Sequence, residues 1–149
     1  MKDPHREIPA DGASLRPRGF WRLVGRLEHE TLEFKRSAHH LRDAIPAMAM
    51  SAGGAIVLGV TDARDLVGRP LDQETLDRIT AAASECGVDV RVREITVGRV
   101  PLTIVLVPAV RDRIVTTPDG RLLRRIGSSN QPLRGDAVSR FVRAREATR

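Results

Sequence analysis

Arginine is the residue type that this sequence offers most often for chemistry on a charged partner. Lys35 and Arg36 end a short alternating segment, Arg91 and Arg93 alternate with Val90 and Val92, and Arg121, Arg124 and Arg125 lie in a GRLLRRI run. Arg140, Arg143 and Arg145 close the chain in a segment of helical spacing. A guanidinium is a planar fork that donates two parallel hydrogen bonds to phosphate oxygens, so these clusters suit a phosphate-bearing partner. Strand alternation puts Arg91 and Arg93 on one face, and Arg124 and Arg125 on opposite faces, so at most one of the latter pair lines a given surface. The GSSN segment from Gly127 adds backbone donors and the hydroxyls of Ser128 and Ser129, which suit phosphate and equally suit a plain loop.

Composition agrees with a polyanionic partner. The 149 residues carry 25 Lys and Arg against 19 Asp and Glu, a formal charge of +6. Nucleic acid is the first candidate, followed by acidic lipid or acidic protein. With 3% aromatic residues and no Tyr, the chain is poorly equipped to stack bases, which favours recognition of backbone or shape. No G-x-x-x-x-G-K-[ST] pattern is present, which disfavours ATP. His29, His39 and His40 match no standard zinc spacing, and the lone Cys86 supports neither an internal disulfide nor a thiolate cluster. The apolar runs GAIVLGV and PLTIVLVPAV are strand-sized and far short of the roughly 20 residues that span a bilayer. The polar, Pro-rich start lacks the apolar core of a secretory signal, so the expected location is the cytoplasm.

These side chains need a scaffold, and the hydrophobic pattern predicts one. Residues 1–18 show no periodicity and read as a flexible arm outside the fold, leaving 19–149 as one domain. Phe20, Leu23, Val24 and Leu27 predict a short helix, and TLEFK alternates as a strand. Ser37 is the expected cap of a helix over 38–52, with Pro46 expected to kink or interrupt it and Gly53-Gly54 to stop it. Ala55 to Val60 read as a central strand buried on both faces. A helix capped by Asp72 runs to Gly87, and two strands joined at Gly98-Arg99 follow. A second strand pair, RIVTT with GRLLRRI, is expected around Pro118-Asp119-Gly120, and a last helix spans about 135–146. This order implies an α+β domain, a mixed sheet with packed helices.

Three stretches, EHETLEFKRS from Glu28, AMAMSAGGAIVLGVTD from Ala47 and RRIGSSNQPL from Arg124, together resemble the AlbA-2 domain of the Schlafen group. The likeness runs from about Leu27 to Phe141. It implies an Alba-like fold and DNA or RNA binding. In relatives that act as nucleases the matching acids form a three-carboxylate site, which here falls on Glu28, Glu33 and Asp62, with Lys35 or a nearby Arg stabilising the phosphate. Such oxygen ligands suit Mg²⁺ or Mn²⁺. The alternative for these acids is pairing with Lys35 and neighbouring arginines. Met50 stands where the family often has Asn, and there is one domain copy where larger Schlafen cores have two halves, which implies that a working groove requires a homodimer.

The function expected is a nucleic-acid-binding domain that reads mainly phosphates, through Lys35, Arg36, Arg91, Arg93, Arg124, Arg125, Ser128 and Ser129. The rival from the enzyme class is a metal-dependent endonuclease acting on structured RNA such as tRNA. A third class, a protein-recruiting module, would not touch nucleic acid at all.

Overall fold

A computed structural model describes residues 3–5 and 7–147. Its centre is β3 (Gly54–Leu58), five residues buried on both faces. On one side it pairs in parallel with β2 (Leu32–Lys35), reached through helix α2 (Leu41–Ala49). On the other it pairs antiparallel with β5 (Val100–Val107). The expected hairpin is present: β4 (Arg91–Val97) runs back along β5, with Val97 opposite Val100 across Gly98-Arg99. With β1 (Ser14–Leu15) the sheet order is β1-β4-β5-β3-β2. The fold is α+β, as read from the sequence.

Strand alternation divides the core between two faces. Ile56, Leu58, Val105 and Val107 meet Leu41, Ile45 and Met48 of α2 and Ile79 and Ala83 of α3 (Gln73–Cys86). Ala55, Val57, Leu102 and Ile104 meet Phe20 and Trp21 of α1 (Pro17–Val24) on the other side. Each such aliphatic side chain contributes about 1.5–3 kcal/mol when fully buried. Among the described residues no helix is long and apolar enough to cross a membrane.

Four expectations need correction. The segment before residue 19 is not outside the fold: Ser14 and Leu15 pair with Thr96 and Val97, and α1 already begins at Pro17. Arg93 donates to the Pro9 carbonyl at 3.0 Å, and His5 Nε2 lies 3.1 and 3.0 Å from the carbonyls of Gly54 and Val107. Backbone pairing and isolated apolar residues such as Ile8 and Leu15 do what periodicity would otherwise announce. Met1, Lys2 and Arg6 of the expected arm lie outside the described residues.

Second, α2 starts at Leu41 after a left-handed His40 (φ 62°), with no side-chain cap from Ser37. Third, Pro46 does not interrupt α2: the helix continues to Ala49, with Met50 N–H reaching the Pro46 carbonyl at 3.0 Å. Fourth, Arg113 to Thr117 do not form a strand. Val115 and Thr117 are buried, and Val115 N–H meets Met50 Sδ at 3.3 Å, so this stretch spends its side chains on the core instead of a ladder. The turn at Pro118-Asp119 exists, with Thr117 N–H bonded to the Arg121 carbonyl at 2.9 Å. The hairpin itself falls later, as β6 (Leu123–Ile126) and β7 (Ser129–Pro132) around Gly127-Ser128, where Gly127 adopts φ 59°. Helix α4 (Asp136–Ala147) follows as expected.

Two positions give direct tests of this scaffold. A Cβ on Gly54 would lie 2.5 Å from the Thr31 carbonyl oxygen, where the chain entering β2 crosses the start of β3. Gly54→Ala should therefore destabilise the domain by about 1–3 kcal/mol in urea unfolding; an unchanged midpoint would refute this close crossing. Asp72, the N-cap of α3, accepts from Thr75 N–H at 2.9 Å, and hydrogen bonds from Thr75 hold its carboxyl below the usual range. A depressed folded pKa means stability that is present above the unfolded value near 3.9 and is lost as pH falls through the folded one. Asp72→Ala should lower the thermal midpoint at pH 7, and the gap to wild type should narrow steadily below about pH 4.

Candidate functional site

Glu33 and Arg125 form the most constrained charged pair. Glu33 alternates with Leu32 and Phe34 on β2, so its carboxylate faces away from them and toward the β6–β7 hairpin. The inward residue of β6 that meets it is Arg125, whose Nη1 donates to Glu33 Oε1 at 2.9 Å. The same guanidinium donates to Asn130 Oδ1 at 3.1 Å, to the Leu32 carbonyl at 3.0 Å and to the His29 carbonyl at 3.2 and 3.3 Å. Its backbone N–H is held by Ser51 Oγ at 2.8 Å. Arg125 is 2% exposed, so it cannot meet a phosphate from solvent, and its assignment as a nucleic-acid contact is corrected: it clamps the hairpin to β2. Arg124, its neighbour on the opposite strand face, is the accessible member of the pair.

The three acids expected to gather make different contacts. Glu28 Oε2 accepts from the Phe34 N–H at 3.1 Å, and its Oε1 lies 3.9 Å from Arg64 Nη2. Glu33 Oε1 belongs to Arg125, while its Oε2 is buried without a hydrogen-bond partner, 3.8 Å from Lys35 Nζ. Asp62 is exposed beyond β3, and its backbone carbonyl accepts from Arg64 Nη1 at 3.1 Å. Among the described residues no group of three or more His, Cys, Asp or Glu is placed to hold a metal ion. The orphaned Glu33 Oε2 is an oxygen donor of the type that suits Mg²⁺ or Mn²⁺, and by itself it does not make a site for either. The donor set as arranged does not fit the ion that the Schlafen likeness implies: Glu28 lies beside Arg64, and Glu33 beside Arg125 and Lys35.

Arg64 escaped the sequence reading. It adopts a left-handed backbone (φ 67°), stacks 4.6 Å from the centre of the Phe34 ring and donates to the Arg26 carbonyl at 2.6 Å. Its side chain thereby ties the loop after β3 to the segment that leads into β2. Nothing in local spacing announces this, because Arg26 lies 38 residues upstream.

The accessible cations divide differently from the expected clusters. Lys35 is partly buried beside Glu33, Arg36 and Arg91 are exposed, and Arg93 is spent on the carbonyls of Ile8 and Pro9. Ser128 and Ser129 are exposed at the tip of the β6–β7 hairpin. Arg124 and Arg145 converge on Phe141 of α4, each with its guanidinium carbon 4.9 Å from the ring centre. Arg124 Nε also reaches Ser51 Oγ at 3.4 Å, and Arg145 donates to the carbonyls of Val110 and Met50. Burial, and then repulsion from Arg111 and Arg124, hold the Arg145 guanidinium below the usual arginine pKa, with Asp112 opposing. Helical spacing from Phe141 to Arg145 was legible; the arrival of Arg124 and Arg111 was not. Cys86 is half-buried, its thiol pushed up by burial and donating to the Ala82 and Ala83 carbonyls, which makes it inert.

Fold and site together define a small α+β domain whose solvent-facing chemistry is cationic. The chain belongs to the Schlafen AlbA_2 family, whose model matches residues 28–134. In fold it is similar to the DIP2311 protein from Corynebacterium diphtheriae, with a TM-score of 0.64 and 19% identity over 79% of this chain and 27% of that one. The N-terminal domain of a RecG-related protein from Nitrosomonas europaea aligns at 26% identity over 67% of this chain and 80% of that domain, with a TM-score of 0.38. No curated protein matches the chain significantly.

Proposed function

We propose that this domain binds DNA or RNA through its phosphates, with the β6–β7 hairpin and α4 as the primary contact surface. The observation that carries this reading is the arginine cluster at Phe141. Arg124 and Arg145 converge on the Phe141 ring, each with its guanidinium carbon 4.9 Å from the ring centre, and Arg111 adds to the positive charge that, after burial, lowers the Arg145 pKa. Guanidiniums that converge at a surface raise the local positive potential, which attracts phosphate. The exposed Ser128 and Ser129 at the hairpin tip, together with Arg36, extend the same chemistry. Membership of the Schlafen AlbA_2 family supports a nucleic-acid partner. The low aromatic content supports backbone contact over base stacking.

The test is a titration of labelled duplex DNA, tRNA and single strands across a salt series, with EDTA or Mn²⁺ and with Asp62→Asn alongside wild type. Affinity should fall linearly in log–log form with salt, by about 0.9 per phosphate contact on duplex. It should be the same with EDTA or Mn²⁺ and in Asp62→Asn, with no cleavage. Mn²⁺-dependent cutting that Asp62→Asn abolishes would replace this reading with the metal-dependent nuclease. Absence of salt-sensitive binding would replace it with a protein-recruiting module.

A further inference from the structure

Residues 13–27 contain Arg16, Arg18, Arg22 and Arg26 and no acidic residue at all. Helix α1 within this stretch turns Phe20 and Trp21 into the core, and the four arginines remain on the surface. Arg18 and Arg22 are four apart, which puts them on one helix face about 6 Å apart along the axis. Arg26 follows just past the helix end, its guanidinium carbon 4.7 Å from the Trp21 ring centre, which fixes it against the domain surface. None of the four forms a salt bridge among the described residues.

The position of this strip matters as much as its charge. Phe20 and Trp21 pack against Val57 and Ile104, while Val138 and Phe141 of α4 pack with the core on the opposite face of the sheet, that of Ile56 and Val105. The domain thus carries cationic surface on both sides of its sheet. Leu23 and Leu27 are exposed next to the arginines, at 41% and 80%. A lipid surface would need a broad apolar helix face, but that face of α1 is already committed to the core, and two leucines are too little to replace it. Phosphodiester backbone is the partner that matches cations without an apolar stripe.

We infer that the α1 strip is a second nucleic-acid contact surface, so that a single domain holds two backbone segments at once, one on each side of the sheet. This rests on the proposed binding at the α4 face. Steric separation by the sheet keeps the two segments from competing for the same arginines, and the second contact raises the local concentration of nucleic acid for the first.

The experiment is a bridging assay. One short DNA duplex is immobilised and capture of a second, labelled duplex by the protein is measured, alongside single-duplex anisotropy and the mass of the protein by sedimentation. Wild type should capture the second duplex as a monomer. Arg18→Glu with Arg22→Glu should keep single-duplex binding through the α4 face while capture falls about tenfold. Arg18→Gln with Arg22→Gln gives the same readouts should the charge reversal disturb folding, which circular dichroism checks. Single-duplex binding by wild type without capture of a second overturns the two-surface inference and leaves the proposed function standing. Absence of duplex binding overturns the two-surface inference, and absence of binding to tRNA and single strands as well overturns both. Capture that survives the double substitution overturns the role of α1 and, where sedimentation shows a dimer, assigns bridging to paired copies. Binding of wild type, but not the double variant, to phosphatidylserine vesicles with no duplex capture would make α1 a membrane contact instead.

Discussion

Arg125→Leu should cost the domain about 3–5 kcal/mol, the penalty for leaving one member of a buried ion pair without its partner. Against a total of roughly 5–15 kcal/mol for a small domain, that is enough to leave a large fraction unfolded at physiological temperature. The reason is the number of groups that depend on one guanidinium. It satisfies Glu33 Oε1, Asn130 Oδ1 and the carbonyls of His29 and Leu32, and its side chain is fully buried. Lys35 at 3.8 Å from the other carboxylate oxygen cannot replace it. Arg125→Lys should fail almost as badly, because an ammonium on a flexible stem cannot reproduce a fork that meets a carboxylate and two carbonyls together. The double change Arg125→Leu with Glu33→Leu should recover much of the loss, since two apolar side chains remove the stranded charge. Urea unfolding of the three variants reads these outcomes; equal midpoints for wild type and Arg125→Leu would mean the pair does not hold the hairpin.

Arg124→Glu should act in the opposite way, leaving stability near wild type and abolishing most nucleic-acid binding. Its guanidinium is anchored on Phe141, so the side chain already lies at the surface where a phosphate would meet it. Reversal removes one cation and places a carboxylate beside Arg145, which lowers the local positive potential that attracts phosphate. Affinity at low salt should drop about tenfold or more, within the range of one charged contact. Arg124→Ala, which only deletes the charge, should make the log–log salt slope shallower by about 0.9. Binding unchanged in both variants would move the contact surface away from α4.

The adjacent pair Arg124 and Arg125 shows how far sequence reaches. Alternation established that they face opposite ways, but which of them is buried depends on where β6 docks, and β6 docks on α2 and beside β2, distant in the chain. The TLEFK alternation put Glu33 on a strand, and the Schlafen likeness set it in a metal site, whereas its actual partner arrives 92 residues later. Elements with a strong local signature were readable: the five apolar residues of β3, the β4–β5 alternation, and the Asp72 cap with the Gly87 stop. The RIVTT segment misled because a β-branched run such as Ile114 to Thr117 describes a strand and equally a stretch that drops side chains into a core. The N-terminal residues misled for the reverse reason, being bound by backbone pairing and by Arg93, which leave no periodic trace.

The long span bridged by Arg125 also orders events in time. The β4–β5 hairpin closes on itself through neighbours in sequence, and the β2–α2–β3 crossover joins elements fewer than 20 residues apart. The clamp on Glu33 must wait for a segment nearly a hundred residues downstream, and closing such a loop is entropically slow relative to local pairing. During synthesis, the sheet therefore assembles with a carboxylate that is still in water, and the arrival of β6 is the step that draws it inside. A chain truncated before residue 121 should show native-like protection in β4 and β5 but an open edge at β2, a pairing surface left uncovered until the arginine arrives.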